Sequence, residues 1–306
     1  MISLLRICFV LLLIVTCACA GESIEEWLEK QPIKVGEKAQ QSIKISPDIW
    51  IHSGSTLMHF AAIEEKLEVM KRLKKQGENV NAKDNNGYIP MHHAAMRGNL
   101  DIMKWLKSNG ASIRAKTNRE ETPIFFAAMN GHLDVMKWLK EQGADINEKI
   151  LDESLMNYAA VGGHIEVMKW LKEQGLGVTG IGRGRTPMHH AARNGHLEAM
   201  KWLKDQGAIP NSLLMHEAAR GDDIEIMKWL KEQGTVVDAK DHNGRTPMYC
   251  AAVWGSVTAM KWLYEQGADI NAKDNQGNTP LGAGKKSSAA ASRDSIVWLR
   301  SIGAVE

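Results

Sequence analysis

Residues 136–142 read Met-Lys-Trp-Leu-Lys-Glu-Gln, and the same seven residues return at Met168 and at Met227. Close variants begin at residues 103, 200 and 260. The tryptophans of the six copies stand at 105, 138, 170, 202, 229 and 262, in steps of 33, 32, 32, 27 and 33 residues. A period near 33 residues indicates supersecondary units that cannot bury their apolar faces alone and therefore stack. The period predicts a solenoid of stacked units.

One unit, residues 186–206, shows how each copy is expected to fold. Thr186 is a good N-cap, and Pro187 suits the first helical position because its missing N–H would have no partner there. The pair Ala-Ala gives this first helix a small apolar face, and Gly195 ends it. The following segment LEAMKWL carries apolar residues at helical spacing, which predicts a second, amphipathic helix. In complete repeats a turn rich in Asn, Asp and Gly follows, as in residues 268–277.

This pattern of two helices and an extended turn, opened by Thr-Pro-x-His, resembles the ankyrin repeat. Matching stretches begin at residues 56, 89, 122, 154, 186, 213 and 246, and a degenerate copy, TPLGAGK, occupies 279–285. The resemblance covers residues 54–303. It implies an all-α ankyrin-repeat solenoid of stacked helix-turn-helix units with short β-hairpin loops.

The chain divides into three segments on this basis. Residues 1–20 combine a positive charge, an apolar run and Ala18-Cys19-Ala20, which is typical of a cleaved secretory signal peptide. Residues 21–53 are expected to cap the array, with a helix around Trp27 and an extended stretch from Ser42 to Ile51. Residues 54–306 form the ankyrin-repeat domain, with about seven repeats and a degenerate C-terminal cap whose second helix spans residues 292–302.

The leader predicts an exported protein, periplasmic or secreted. Lipid anchoring through Cys17 or Cys19 is the alternative, although neither cysteine has a good lipobox around it. Beyond the leader only Cys250 remains, so an internal disulfide is excluded, and its place in a Tyr-Cys-Ala-Ala helix predicts a buried thiol. No later segment is apolar for long enough to span a membrane, so no integral membrane segment is expected after cleavage.

Two loops depart from the regular unit. The 27-residue step shortens the hairpin after Gly207, and residues 175–185 (GLGVTGIGRGR) replace another hairpin by a glycine-rich loop. That loop formally contains G-x-G-x-x-G, but a helix precedes it where a dinucleotide site needs a strand. A nucleotide site is therefore disfavoured, while an anion site that uses Arg183 and Arg185 stays open as a minor alternative.

No other motif predicts catalysis or a cofactor. The residues Gly282–Ser287 lack the first glycine of a phosphate loop. The histidines of Thr-Pro-x-His are expected to bind backbone groups of neighbouring repeats, and the pairs at 92–93 and 189–190 are adjacent residues that do not face each other. Carboxylates fall in repeated positions that are expected to be exposed. We therefore predict no enzyme activity, no metal and no cofactor.

The family resemblance implies that the protein binds another protein. Contacts in such arrays usually come from the concave face, at the two residues after Ala-Ala, and from the hairpin tips. After Ala-Ala, the candidate residues are Met96, Arg97, Met129, Asn130, Val161, Gly162, Arg193, Asn194, Arg220, Gly221, Val253 and Trp254. At the tips, they are Tyr88, Arg119, Glu121, Arg185 and Arg245. The remaining alternative is a structural spacer in the cell envelope or matrix that has no selective partner.

Charge narrows the class of partner. The chain carries 38 Lys and Arg against 36 Asp and Glu, a formal net charge of +2, so nucleic acid is not an expected partner. Arginine is frequent among the candidate residues, while lysine gathers on the second helices. We therefore predict a monomer with a locally basic concave face, suited to an acidic protein.

Overall fold

The computed structural model describes residues 43–46, 49–51, 53–182, 184–287 and 292–306. The chain splits into two compact units, Met1–Ile146 (unit 1) and Asn147–Glu306 (unit 2). The predicted leader and the predicted helix around Trp27 lie outside the described residues. Among the residues described, no helix combines the length and the apolar composition needed to cross a membrane.

The described part of unit 1 begins with two short strands. Strands β1 (Ile43–Ser46) and β2 (Ile49–Ile51) pair antiparallel, with Ile43 opposite Ile51. Both described parts of this segment are extended, as expected, and they pair with each other.

Sixteen helices follow among the described residues, in pairs that match the predicted units. The first helices of the pairs are α1 (Leu57–Ile63), α3 (Pro90–Arg97), α5 (Pro123–Met129), α7 (Leu155–Val161), α9 (Pro187–Arg193), α11 (Leu213–Arg220), α13 (Pro247–Trp254) and α15 (Pro280–Lys286). The second helices are α2 (Leu67–Lys75), α4 (Leu100–Ser108), α6 (Leu133–Glu141), α8 (Ile165–Glu173), α10 (Leu197–Asp205), α12 (Ile224–Glu232), α14 (Val257–Glu265) and α16 (Ser292–Ser301). The all-α repeat architecture is confirmed.

The first helices form the core. Within each unit they pack against the first helices of neighbouring repeats: α1, α3 and α5 in succession, and likewise α7 to α15. Small residues allow this close approach, since both alanines of the Ala-Ala pairs from α1 to α13 are buried. The predicted methionine columns are buried as well, and Met58, Met91 and Met188 are representative.

Histidine side chains join adjacent repeats by hydrogen bonding to backbone groups. His92 Nδ1 accepts from the Ile89 N–H at 2.9 Å, so the ring proton lies on Nε2, which donates to Ala115 O at 2.9 Å. His59 and His216 also reach a carbonyl of the next repeat. In α7 Asn157 replaces the histidine and keeps both bonds, although its bond to Arg185 O lengthens to 3.5 Å.

His189 departs from the expected role. Its Nδ1 accepts from the Thr186 N–H at 3.2 Å, but no backbone carbonyl accepts from its Nε2 among the described residues, and the neighbouring polar group is the side chain of Asn211. The reason is the shortened loop after Gly207, which provides no hairpin carbonyl at the corresponding place. The prediction of a bond to the backbone of the next repeat is therefore wrong for this histidine.

The residue in each turn between paired helices is matched to the side chain that the following repeat places against it. Gly98 has φ +76°, and a Cβ there would lie 2.4 Å from Nδ1 of His132, whose Nε2 bonds Met96 O at 2.9 Å. Where the next repeat has the smaller Ser256, Asp222 takes the glycine position with φ 58°, and its carboxylate accepts from the Ala259 N–H at 2.6 Å. Residues on either side of a repeat boundary are therefore matched in size.

The second helices are amphipathic. Each repeated tryptophan is buried or half-buried, as expected for packing between neighbouring second helices, with Trp170 and Trp262 the most enclosed. Lysines on the outer surface pair with glutamates three residues earlier, for example Lys169 with Glu166 at 2.7 Å. Such exposed pairs contribute little to stability.

In three regular loops an aspartate side chain stabilises the turn. Asp84, Asp241 and Asp274 each accept two backbone N–H groups through Oδ1, at 2.8–2.9 Å. Only one loop in the described repeats forms assigned strands: β3 (Lys149–Ile150) pairs with β4 (Glu153–Ser154). The predicted hairpins are therefore mostly tight turns.

The last pair of helices closes unit 2. Ser295 Oγ on α16 donates to Ala252 O at 3.0 Å, and Thr279 Oγ1 donates to Val305 O at 2.7 Å. Helix α16 confirms the second helix predicted in the degenerate last repeat, within one residue. The boundaries of the predicted domains stay a prediction.

Candidate functional site

Four arginines of unit 2 come from two kinds of repeat position. Arg193 and Arg220 are the last residues of α9 and α11, while Arg185 and Arg245 precede the N-caps of α9 and α13. Stacking brings equivalent positions of neighbouring repeats onto one side of the unit. Together with the residues they contact, they form what we call the arginine cluster: Arg185, Arg193, Glu217, Arg220, Arg245, Tyr249 and Trp254.

Trp254 is the exposed aromatic centre of the arginine cluster. It is 46% exposed at the end of α13, as predicted for a contact residue. The guanidinium carbon of Arg193 lies 5.3 Å from its ring centroid, and that of Arg220 lies 5.7 Å away. Both distances fall within the range of cation–π attraction. Three consecutive repeats thus contribute to one cationic and aromatic surface.

Glu217 anchors two of the arginines. Its Oε1 is 3.2 Å from Arg185 Nε and 3.3 Å from Arg220 Nη1. Only 9% of the Glu217 side chain is exposed, so this carboxylate is fixed in a poorly hydrated place. A buried charge of this kind is tolerated because it is paired.

Arg245 adds the fourth positive charge. Its guanidinium carbon lies 5.4 Å from the Tyr249 ring centroid, and its Nε is buried without a hydrogen-bond partner in the described residues. The Nε of Arg220 is also buried and has no hydrogen-bond partner in the described part of the chain. Two guanidinium groups of the arginine cluster therefore retain unused donor capacity.

Arginines outnumber carboxylates within the arginine cluster itself. Glu217 offsets one of the four arginines, and Arg193 and Arg245 make no ion pair within the described ranges. Two further carboxylates border the cluster: Asp274 hydrogen-bonds Tyr249, and Asp241 accepts from the Arg245 N–H. Nearby, Glu153 Oε1 lies 3.4 Å from His190 Nε2. Burial, followed by the Arg185 charge, lowers the pKa of His190 to about 4, so this imidazole is neutral at physiological pH.

The tip residues predicted in unit 1 form a separate, more neutral group. Burial is the main cause that raises the pKa of Tyr88 to about 12, and the charges of Glu121 and Arg119 act on it in opposite directions. Tyr88 packs against Phe126 with ring centroids 5.3 Å apart. Thr117 Oγ1 donates to Glu121 Oε2 at 3.2 Å. These contacts make Tyr88 partly structural.

The predicted residues that follow Ala-Ala in unit 1 differ in their roles. Arg97 is exposed and its Nε lies 3.5 Å from Glu65 Oε1. Asn130 Nδ2 donates to Phe126 O at 2.8 Å. Met96 and Met129 are half-buried. These side chains form no charged cluster comparable to that of unit 2.

The other predicted residues of unit 2 lie beside the arginine cluster. Asn194 is exposed and its Nδ2 donates to His190 O at 2.8 Å. Val253 is half-buried, and its carbonyl accepts from Ser287 Oγ at 2.9 Å. Val161 and Gly162 are half-buried, while Gly221 is exposed.

Glu217 is the main residue that the sequence reasoning missed. Carboxylates were expected in exposed positions, and for Glu217 that prediction is wrong because it is buried between arginines. A signal was present: Glu217 stands in the position where two other repeats have His93 and His190. A charged residue there requires a partner, and Arg220, three residues later, was the nearest candidate.

Metal ligands, the Cys250 thiol and the glycine-rich loop are the places in the described residues where other chemistry could arise. No group of three His, Cys, Asp or Glu side chains there has metal-binding geometry. Burial raises the pKa of Cys250 to about 11, which disfavours the thiolate. In the glycine-rich loop, Leu176 and Val178 are buried, and Gly182 pairs with Arg185 in a β-bridge.

Comparison with known proteins identifies the repeats. The family model described as Ankyrin repeats (3 copies) matches residues 18–117, 58–150, 124–213 and 209–274. The search of curated proteins yields no match. Ankyrin repeats are in general protein–protein interaction modules and are typically non-enzymatic scaffolds. Because the matches cover most of the sequence, the chain belongs to the ankyrin-repeat family.

Proposed function

We propose that this protein is a non-catalytic scaffold that binds an acidic segment of another protein on its concave face, at the arginine cluster. The observation that carries the proposal is the placement of two guanidinium groups over the exposed ring of Trp254. A stacked arginine keeps its N–H edge available for a carboxylate while its face rests on the aromatic ring.

The cluster has the features of a binding hot spot. Tryptophan and arginine dominate the energetics of many protein interfaces when they are surrounded by well-packed residues. Here Glu217 fixes Arg185 and Arg220 before a partner arrives, which lowers the entropic cost of binding. Arg193 and Arg245 supply the charge that the internal carboxylate does not offset.

The test compares two variants with the same change of charge. Arg193→Glu alters the cluster, while Lys261→Glu alters an exposed lysine on α14. Cross-linking in intact cells, followed by mass spectrometry, should identify a protein captured by the wild type and by Lys261→Glu. Arg193→Glu should lose that protein and keep the helical circular dichroism of the wild type.

The same experiment separates the proposal from its alternatives. A structural spacer would capture no selective protein with any variant. Equal capture by Arg193→Glu and the wild type would refute the role of the cluster. An anion or nucleotide site in residues 175–185 would instead show as a thermal shift with phosphates or nucleotides, and Arg185→Gln should remove that shift.

We also propose that the protein acts as an exported monomer. The proposal of export rests on the leader-like sequence of residues 1–20. Intact mass of the protein purified from its native source should show cleavage after Ala20. A mass that retains the leader, or that includes a lipid on a cysteine, would contradict this route.

A further inference from the structure

Three consecutive loops of unit 2 expose aliphatic side chains. Leu151 is 63% exposed, Ile181 is 67% exposed and Ile209 is 86% exposed. They lie in the β3–β4 turn, the glycine-rich loop and the shortened loop, respectively. None of these loops has the aspartate turn found at Asp84 and Asp241. The departures from the regular hairpin thus coincide with exposed apolar groups.

The first two of these loops adjoin each other, and the second ends at the arginine cluster. A Cβ on Gly182 would lie 2.4 Å from Glu153 Cγ, so the glycine-rich loop rests directly on β4. At its end, Arg185 contacts Glu217 on α11, the helix that follows the shortened loop. The glycine-rich loop therefore borders the arginine cluster, and the β3–β4 turn and the helix after the shortened loop lie on either side of it.

Leu151 adopts an unusual backbone conformation. Leu151 has φ 50° and Asp152 has φ 67°, both in the left-handed region that Asn and Gly prefer in tight hairpins. A leucine here is strained and also exposed, so neither local conformation nor core packing explains it. Strain of this kind tends to be retained at functional positions.

We propose that Leu151, Ile181 and Ile209 form an aliphatic strip that binds the partner together with the arginine cluster. The inference rests on the proposed function and specifies its ligand: a partner segment in which aliphatic residues accompany the acidic ones. Charge complementarity supports this occupant, because a purely apolar segment would leave the neighbouring guanidinium groups without carboxylates. A purely acidic segment would leave the strip exposed to water.

Two short labelled peptides test the inference by fluorescence anisotropy with the full chain. One alternates glutamate with leucine, and the other alternates glutamate with serine. The wild type should bind the leucine peptide at least about tenfold more tightly than the serine peptide, because the leucine side chains are removed from water when they pack against the strip. A triple variant, Leu151→Asn, Ile181→Ser and Ile209→Ser, should lose this preference and keep its affinity for the serine peptide.

A matched triple variant controls for general loss of apolar surface. Val236→Ser, Val297→Ser and Val305→Ser remove three other exposed aliphatic side chains of unit 2 and should leave the preference intact. Equal affinity of the wild type for both peptides would overturn the aliphatic strip and leave the proposed function standing. Binding of neither peptide, or binding that Arg193→Glu does not weaken, would overturn the proposed function as well.

Binding to a lipid surface in place of the peptides would also overturn the inference. Anionic phosphatidylglycerol vesicles offer acyl chains and negative charge together. If the wild type sediments with these vesicles and binds neither peptide, the aliphatic strip and the arginine cluster serve a lipid surface. If it binds the leucine peptide and leaves the vesicles in the supernatant, the inference holds.

Discussion

Acid should destabilise this protein through His92, because the folded chain requires the neutral imidazole. Nδ1 accepts a hydrogen bond from the Ile89 N–H, and Nε2 donates to Ala115 O. Protonation would place a second proton on Nδ1, facing the Ile89 N–H. Burial lowers the pKa of His92 from 6.5 to about 4 in the folded state.

The sign and size of the effect follow from proton linkage. Between pH 6.5 and about 4 the unfolded chain binds a proton at residue 92 that the folded chain does not bind. The contribution of neutral His92 to stability is therefore fully present above the pKa of the unfolded chain, and it is lost as the pH falls through this window. The interval between the two pKa values corresponds to about 3 kcal/mol of free energy of unfolding.

The natural Asn157 suggests the variant that isolates this contribution. His92→Asn should keep one acceptor and one donor, as Asn157 does in its own repeat, but it cannot titrate. Urea denaturation at neutral pH and at about pH 4.5, followed by circular dichroism, measures both stabilities. The variant should be weaker at neutral pH by about 1 kcal/mol.

The decisive quantity is the change in the free energy of unfolding between neutral pH and about pH 4.5. His92→Asn should lose less stability on acidification than the wild type, by up to about 3 kcal/mol at the acid end of the window. His242→Asn, which removes an exposed imidazole at a loop tip, should behave as the wild type does. Equal acid sensitivity of His92→Asn and the wild type would refute the reasoning.

Four other predictions have defined outcomes. Gly98→Ala should lower the free energy of unfolding by about 1–3 kcal/mol because of its positive φ and the His132 ring, and an added His132→Ser should recover part of the loss. Asn157→His should raise it by about 0.5–1 kcal/mol by improving a long hydrogen bond. The Cys250 thiol should react with a thiol reagent only on unfolding, and fast native labelling would contradict its burial. Leu151→Asn should raise the thermal midpoint by relieving about 1 kcal/mol of strain; an unchanged or lower midpoint would argue against strain.

The sequence predicted the repeat architecture because its local signals agree and recur. Thr-Pro at a helix start, Ala-Ala in its middle and Gly at its end each favour the same structure, and the 33-residue spacing places them in register. The exposed Trp254 could be predicted for a related reason: a large aromatic residue occupied a position where other repeats have small or polar ones.

The details of the candidate site depend on contacts between repeats, which a single sequence does not specify. Nothing local to Glu217 indicates that it binds both Arg185 and Arg220, since the first of these lies 32 residues away. The missing bond of His189 likewise results from the length of a loop in the next repeat. The strain at Leu151 could not be predicted, because a leucine at that position gives no sign of a positive φ.

The match between Gly98 and His132 has a consequence for how such an array can grow. A segment duplicated from one Thr-Pro to the next would carry its helix pair intact, yet it would place its interhelical turn against a new neighbour. A segment that begins at a second helix and ends at the next interhelical turn meets the same requirement. The residues in its turns and in the adjoining turns must be of compatible size. Recombination is therefore tolerated where glycine meets histidine on both sides, and the repeat containing Asp222, matched to Ser256, is a poor donor to the rest of the gene.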